Sequence, residues 1–237
     1  MKKIAIIIPC YNEEESLPQL FEKLILLEKK ISHLYDYQIV FVDDGSKDNT
    51  FQLLQKLSHQ IKSFNILRHD KNQNLGAALK TGINENLNTD YLLFLDSDCT
   101  YEPDIVVQIL AKLDQNYDLA TVSPYHPDGG VEGVPAWRLL LSSGLSIIYR
   151  ILLISRIYTF TAMVRGIQTS KVKAILSDYN DFSFVAECLI KAIKLNYKIV
   201  EIPTILKVRK YGQSKMNIYK TIKSHIKIIL KLLSWKY

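Results

Sequence analysis

Three short apolar runs near the start of the chain each end abruptly in acidic side chains. The runs cover residues 4–8, 38–42 and 91–95, and the segments that follow are NEEE, DDG and DSD. Helical periodicity separates the runs, most clearly over residues 14–31. Strands that alternate with helices predict a mostly parallel sheet with helices on both faces. Because ligands bind beyond the carboxyl ends of such strands, we expect the three acidic segments to converge there.

The same alternation continues to about residue 123 and then changes. Further helices are predicted over 48–57, 75–86 and 103–113, and further strands over 64–67 and 119–123. A glycine-rich loop at 127–135, an apolar segment at 139–157, a helix at 182–193 and a strand at 198–202 follow. We therefore predict one α/β domain over residues 1–212, with halves at about 1–125 and 126–212, and a C-terminal helix over 213–237.

Composition limits the partners and the cellular compartment that can be expected for this chain. The chain has 237 residues and a formal net charge of +6, which favours a polyanionic partner such as a nucleotide or a membrane surface. Its three widely spaced cysteines predict neither a zinc site nor a disulfide framework, and reduced thiols indicate a cytoplasmic protein. The first apolar run is too short for a signal peptide, and no run of about 18 apolar residues predicts a transmembrane helix.

The DSD segment is the strongest candidate site. Asp96 and Asp98 alternate with Ser97 on an extended segment, so their carboxylates point the same way. Like charges held together need a compensating cation, and paired carboxylates with phosphate oxygens suit Mg²⁺ or Mn²⁺. Such an ion bridging a diphosphate would stabilise it as a leaving group. Neither GxxxxGK[ST] nor GxGxxG occurs, which argues against P-loop and dinucleotide sites.

Four motifs in order resemble family 2 glycosyltransferases with the GT-A fold: IIIPCYNEE, VFVDDGSKDNT, NLGAALKTGI and LDSDCTYEP, within residues 4–125. The later stretches PDGGVEGVPAWRLLLS, FVAECLIKA and EIPTILKVRKYGQSK are similar to the dolichol-phosphate mannose synthase branch. Enzymes of that branch transfer a sugar from a nucleotide diphosphate sugar to a polyprenyl phosphate. The resemblance therefore extends to about residue 220.

The resemblance also implies roles for individual residues. The nucleoside would contact Pro9, Tyr11, Glu13, Val42 and Asp44. The metal and diphosphate would lie at Asp96, Ser97 and Asp98, the acceptor phosphate at Arg138 and Ser142, and two basic residues, Arg209 and Lys215, would close over the diphosphate.

Two segments depart from the family pattern near the expected sugar and acceptor. The family often has Ser-Arg-Tyr where this chain has Ser123-Pro124-Tyr125, so one arginine is absent, and His126 or Lys210 is a candidate substitute. Thr161-Ala162-Met163 stands where the family has Ser-Gly-Phe. These differences leave the identity of the sugar and acceptor open.

These observations predict a metal-dependent, inverting glycosyltransferase. It would move a hexose from a GDP-mannose-like or UDP-linked donor to a polyprenyl phosphate, as a peripheral protein on the cytoplasmic face of the cell membrane. A phosphate monoester is dianionic at neutral pH, so it needs cationic positioning more than a general base. The alternatives are a family 2 enzyme with a cell-surface glycan hydroxyl as acceptor and a non-catalytic nucleotide-binding module. Nucleic acid is not expected as a partner.

The C-terminal residues 215–236 predict a basic amphipathic helix. At about 100° per residue, five apolar residues fall within an arc of roughly 80°: Ile218, Ile222, Ile226, Ile229 and Leu233. Four lysines fall nearly opposite: Lys220, Lys223, Lys227 and Lys231. Trp235 and Tyr237 are typical of the membrane interface. The helix would lie on a membrane or, alternatively, pack on the protein core.

Overall fold

The computed structural model describes residues 1–212 and 218–234. Seven strands form its main sheet: β1 (Lys2–Cys10), β2 (Tyr35–Asp43), β3 (Phe64–Arg68), β4 (Tyr91–Phe94), β5 (Leu119–Ser123), β7 (Arg165–Gln168) and β8 (Ile199–Pro203). Their spatial order is β3-β2-β1-β4-β7-β5-β8. Every neighbouring pair is parallel except the two that involve β7, which is antiparallel to β4 and β5. Both halves of the chain therefore contribute to one mostly parallel sheet.

Within residues 1–212 and 218–234, eight α-helices accompany the sheet: α1 (Leu17–Ile31), α2 (Thr50–Leu57), α3 (Leu75–Glu85), α4 (Ile105–Asp114), α5 (Ala136–Leu152), α6 (Thr169–Ile175), α7 (Ser183–Lys194) and α8 (Ile218–Leu233). A short 3₁₀ turn, Ser58–Gln60, follows α2. Alternate β1 side chains point to opposite faces. Ile6 packs with residues of α1, α2 and α4, whereas Ile7 packs with residues of α3 and α5 to α8. Two hydrophobic cores result, one on each face, as the continuous apolar strands predict.

A small second sheet joins the C-terminal region to the main sheet near the carboxyl end of β4. It pairs β6 (Gly130–Glu132) with β9 (Ile205–Lys207) in parallel. The backbone N–H of Lys207 also donates to the carbonyl of Thr100, at 2.9 Å. Since Thr100 lies close to the acidic segment in sequence, with only Cys99 between it and Asp98, this bond holds the end of β9 near that segment.

The predicted helices and strands up to residue 123 are present, and so are those at 182–193 and 198–202, with boundary shifts of a few residues. Besides the 3₁₀ turn, five elements were not predicted: the short elements β6, β7, β9 and α6, and helix α5, whose residues were described only as an apolar segment over 139–157. Strand β7 begins with a buried arginine, Arg165, which interrupts the apolar pattern expected of a central strand. Its Gly166 lies so close to α4 that any Cβ there would clash with Ile109. Close packing of this kind is invisible in local periodicity.

Candidate active site

A cavity of about 760 Å³ opens at the carboxyl ends of β1, β2 and β4. Ten of the residues implicated by sequence line it: Pro9, Tyr11, Glu13, Asp44, Asp96, Ser97, Asp98, Arg138, Ser142 and Arg209. Val42 does not, because its side chain is fully buried in the core between the sheet and α3. Lys215 lies outside the described residues. The structure thus brings the acidic strand ends and the basic residues of the second half to one space.

Three carboxylates lie close together at the floor of this cavity. Burial is the main cause that raises the pKa of Asp96 well above its usual value, and the charges of Asp98 and Glu13 raise it further. The Asp98 carboxylate accepts a hydrogen bond from the backbone N–H of Thr100 at 3.1 Å. Carboxylates crowded in this way favour a cation among them.

Arg209 supplies one such cation. Its guanidinium donates to the Glu13 carboxylate and lies 3.8 Å from the nearer oxygen of Asp98. Its Nε donates to the carbonyl of Tyr211 at 2.6 Å, which holds the side chain in a folded-back position. The arginine is therefore positioned between the ends of β1 and β4, next to the acidic segment.

Asp44 is buried at the end of β2 and is engaged by the chain itself. One carboxylate oxygen accepts from the ring Nδ1 of His69 at 2.7 Å and from the backbone N–H of Gln73 at 2.8 Å. The other accepts from the backbone N–H of Asn74 at 2.8 Å. Burial raises the pKa of Asp44, and these donors oppose that rise. The residue thus organises the loop before α3 as well as lining the cavity.

Sequence reasoning overlooked two residues of that loop. Asn72 and Asn74 both line the cavity beside Asp44. An asparagine between a strand and a helix is typical of turns and caps, so nothing in the local sequence distinguishes these two from ordinary turn residues. The positive φ of Asn74, 76°, becomes apparent only in the folded backbone.

Among the described residues, three cationic side chains line the cavity: Arg138, Lys207 and Arg209. Arg138, near the start of α5, lies with its guanidinium carbon 5.7 Å from the centre of the Trp137 ring. The Ser142 hydroxyl hydrogen-bonds that of Thr161 at 2.6 Å. Neither of the two candidate substitutes for the missing arginine lines the cavity. Lys207, which sequence reasoning passed over, does line it.

Helix α8 forms part of the cavity wall and meets the protein through an unexpected face. Its buried residues are Thr221, Ser224, His225 and Ile228. Of its apolar stripe, Ile218, Ile222, Ile226 and Leu233 are exposed and Ile229 is partly buried, and all but Leu233 line the cavity. The predicted amphipathic helix is present over Ile218–Leu233 and packs on the protein through its four buried residues, whereas its contact with a membrane stays a prediction.

Polar contacts attach α8 to the body of the protein. The Tyr149 hydroxyl hydrogen-bonds His225 Nδ1 at 2.9 Å, and the Ser224 hydroxyl donates to Asp181 at 2.7 Å. Lys231 lies 3.5 Å from the buried carboxylate of Glu187. Within residues 1–212 and 218–234, no helix combines the length and apolar composition needed to cross a membrane.

Comparison with known proteins identifies the family. The model of glycosyl transferase family 2 matches residues 5–167, more than half of the chain. The chain belongs to this family. The enzyme is 31% identical to a dolichol-phosphate mannosyltransferase of Pyrococcus furiosus over 99% of this chain and 64% of the relative. It is 30% identical to a polyprenol monophosphomannose synthase of Mycolicibacterium smegmatis over 91% of this chain and 82% of the relative. The glycosyltransferase thus spans about two thirds of the Pyrococcus protein.

Solved structures confirm the fold of this glycosyltransferase. A glucosyl-3-phosphoglycerate synthase from Mycobacterium tuberculosis, solved with Mn²⁺, UDP and phosphoglyceric acid, superposes with a TM-score of 0.70. The alignment covers 98% of this chain and 77% of that one, at 15% sequence identity. At this identity the likeness shows the fold alone. The predicted GT-A fold, and the resemblance to the polyprenyl-phosphate glycosyltransferase branch, are both confirmed.

Proposed function

We propose that this glycosyltransferase moves a hexose from a nucleotide diphosphate sugar, GDP-mannose-like or UDP-linked, to a polyprenyl phosphate. The observation that carries the proposal is the continuity of one cavity. It runs from the acidic strand ends to apolar walls supplied by α5 and α8, including Leu145 and Ile229. An acceptor with a phosphate head and a hydrocarbon tail matches both ends of such a cavity, whereas a glycan matches only the polar end.

A divalent ion fits the residues present. Among the described residues no group of three or more His, Cys, Asp or Glu side chains is arranged to hold a metal alone. Asp96 and Asp98 nevertheless offer two hard oxygen donors, and Mg²⁺ is ordinarily held by one or two carboxylates together with substrate phosphates. When bound, Mg²⁺ or Mn²⁺ would neutralise the charge that develops on the leaving diphosphate. Ser97 and Arg209 flank the same position.

The acceptor requires positioning rather than deprotonation. Its phosphate is already dianionic at neutral pH, so an oxygen can attack the anomeric carbon without a general base. In an inverting transfer that oxygen approaches from the side opposite the leaving diphosphate. Arg138 and Ser142 would hold the phosphate in this approach through charge-assisted hydrogen bonds. Pro9, Tyr11, Glu13 and Asp44 would contact the nucleoside at the other end of the cavity.

The outward faces of α5 and α8 support attachment to a membrane surface. Exposed apolar side chains lie on both helices, among them Leu140, Ile147 and Ile151 on α5 and Leu230 and Leu233 on α8. The lysines of α8 would add attraction to anionic lipid, on the order of 1 kcal/mol each. A polyprenyl phosphate remains in the bilayer, so an enzyme that uses it must work at that surface. We place the enzyme as a peripheral protein on the cytoplasmic face.

The test is a transfer assay with purified full-length protein. Radiolabelled GDP-mannose, UDP-glucose and other nucleotide sugars are incubated with Mg²⁺ or Mn²⁺ and a polyprenyl phosphate. We expect label from one donor to enter the organic phase in a form released by mild acid. Transfer of label only to a water-soluble glycan would instead support the alternative acceptor class. Binding of nucleotide without transfer to any acceptor would support a non-catalytic module.

A further inference from the structure

Tyr101 lies where the hydrophobic core meets the cavity. It follows the acidic segment after β4, three residues beyond Asp98. Its ring belongs to the core on the α1 side of the sheet. Only 6% of the residue is exposed, yet it lines the cavity. The ring is therefore part of the core, while a small part of the side chain faces the space that substrates would occupy.

The hydroxyl of Tyr101 has no hydrogen-bond partner among the described residues. Tyrosine hydroxyls that are buried usually have such a partner. The unpaired side-chain atoms that are fully enclosed in the described part of the protein do not include this oxygen, so it retains access to the cavity. Phenylalanine would fill the same place in the core. The core therefore gives no reason for the hydroxyl, whereas the cavity does.

The surroundings of this hydroxyl keep it protonated. Burial is the main cause that raises the pKa of Tyr101, and the nearby groups of Asp96, Tyr125 and Asp98 raise it further. Tyr125 also lines the cavity, and its hydroxyl lies beside that of Ser142 on α5. Tyr101 is thus a neutral hydrogen-bond donor between the acidic segment and the Ser142 end of the cavity.

The proposed reaction indicates which part of the substrates would occupy that position. The donor diphosphate would lie at Asp96 and Asp98, and the acceptor phosphate at Arg138 and Ser142. The anomeric carbon leaves the diphosphate and joins the acceptor phosphate, so the hexose must lie between them. A metal ion prefers carboxylate, water and phosphate oxygens, and a phosphate is best matched by a cationic donor. A neutral phenol matches a neutral sugar hydroxyl.

We propose that the Tyr101 hydroxyl donates a hydrogen bond to a hydroxyl of the transferred hexose and thereby contributes to the choice of donor sugar. This inference rests on the proposed hexose transfer. A site that hydrogen-bonds a substrate hydroxyl discriminates strongly against an analogue that lacks it, because a polar group of the site is then left unpaired. Tyr101 would thus select at the sugar, separately from the contacts that bind the nucleoside and the diphosphate.

Tyr101→Phe removes the hydroxyl and keeps the ring in the core. The kcat/KM for the nucleotide sugar should fall by about tenfold, the scale of one hydrogen bond. The affinities for UDP and GDP, measured by calorimetry with Mn²⁺, and the acceptor KM should stay at their wild-type values. The Tm should not fall, because the hydroxyl makes no bond within the described part of the protein.

Tyr35→Phe is the matched control. Tyr35 is also buried, but it lies outside the cavity and its hydroxyl donates to Asp114. Its removal should lower the Tm and leave kcat/KM unchanged. The two variants together distinguish a hydroxyl that acts on the substrate from one that stabilises the fold.

Donor analogues identify the contact. The full-length wild type and Tyr101→Phe are compared on GDP-mannose or UDP-glucose, whichever the wild type transfers, and on forms that each lack one sugar hydroxyl. The penalty of Tyr101→Phe should disappear with one of these forms and persist with the others.

Three outcomes would contradict the inference. Equal kcat/KM of Tyr101→Phe and an active wild type would overturn it alone, and so would a penalty that persists with every analogue. A raised acceptor KM at unchanged donor kcat/KM would assign the hydroxyl to the acceptor phosphate instead. A wild type that transfers sugar from none of the donors would overturn the proposed function and this inference together.

Discussion

The two walls of the cavity are built in opposite ways. The donor wall consists of strand ends whose polar side chains are held by the chain's own hydrogen bonds, as the three bonds to Asp44 illustrate. The acceptor wall consists of two helices, α5 and α8, that leave large apolar side chains in water. Ile151 of α5 is 69% exposed and Leu230 of α8 is 58% exposed.

The polar side chains of the donor wall are thus hydrogen-bonded within the protein, whereas the acceptor wall exposes apolar side chains to water. Polar groups on the donor wall are preorganised before any ligand arrives, which suits recognition of a charged nucleotide. Contiguous exposed apolar surface is rare on soluble monomers and indicates a binding partner or a membrane. The donor wall should therefore respond to loss of single charged groups, and the acceptor wall to loss of apolar area.

The largest effect is expected on the donor wall, from Asp98→Asn. Loss of one carboxylate of the acidic segment should reduce kcat by at least about 10²-fold, the scale of losing a key electrostatic stabiliser. The fold should persist, because Asp98 lies beyond the end of β4. Asp104→Asn, at an exposed carboxylate paired with Lys30, serves as the control and should retain activity. Full wild-type activity in excess EDTA would contradict a metal-dependent role.

On the acceptor wall, Arg138→Ala should weaken the use of the acceptor and leave binding of the donor unchanged. Removal of a charged hydrogen-bond donor to the acceptor phosphate should raise the acceptor KM by about 10- to 100-fold. Donor affinity by calorimetry should stay unchanged. The control is Arg150→Ala on the same helix, since Arg150 packs over the Tyr158 ring and does not line the cavity. A loss of donor affinity with an unchanged acceptor KM would reverse the assignment of the two walls.

A smaller effect should follow from removing apolar area on α8. Leu230 and Leu233 are 58% and 57% exposed, so Leu230→Ser with Leu233→Ser should leave the core intact. Loss of roughly 1 kcal/mol of apolar burial per side chain should reduce flotation with anionic liposomes by about tenfold or more. Leu26→Ser on α1, also at a site 58% exposed, should have no effect. Unchanged flotation of the double variant would show that α8 does not contact the lipid.

Trimming the chain after Gln213 would remove buried Ile228 and His225 together with the outward face. A loss of membrane binding in such a truncated protein could not be told apart from a loss of stability. The paired leucine substitutions leave the buried face of α8 unchanged, which carries Thr221, Ser224, His225 and Ile228. They therefore test only its exposed surface.

The smallest expected effect is a pH dependence of the free energy of unfolding that comes from His225, on the buried face of α8. Burial lowers the pKa of His225 to about 4, whereas the unfolded chain protonates near 6.5. As pH falls below about 6.5, the unfolded state therefore gains a proton before the folded state does, and stability is lost until about pH 4. Urea unfolding at pH 5.5 should show about 1 kcal/mol less stability from this group than at pH 7.5. His225→Gln should lack this component, and an unchanged pH profile in that variant would exclude His225 as its source.

Much of the donor wall followed from the linear sequence. Apolar strands ending in acidic residues are local patterns, and a parallel sheet brings their carboxyl ends to one edge whatever the loops do. Asp96, Asp98 and Glu13 could therefore be expected together. The strained backbone of Asn74 could not, because it depends on Asp44, thirty residues earlier in the chain.

Periodicity alone determined that α8 is an amphipathic helix, since a spacing of 3.6 residues decides which side chains share a face. It could not determine which face meets the protein. Tertiary structure decided that, because the partners of the docked face come from distant positions: Tyr149 on α5 and Asp181 before α7. Those hydrogen bonds turn inward the face of α8 that carries Thr221, Ser224, His225 and Ile228. As a result Ile218, Ile222, Ile226 and Ile229 line the cavity, and Leu230 and Leu233 are exposed to water.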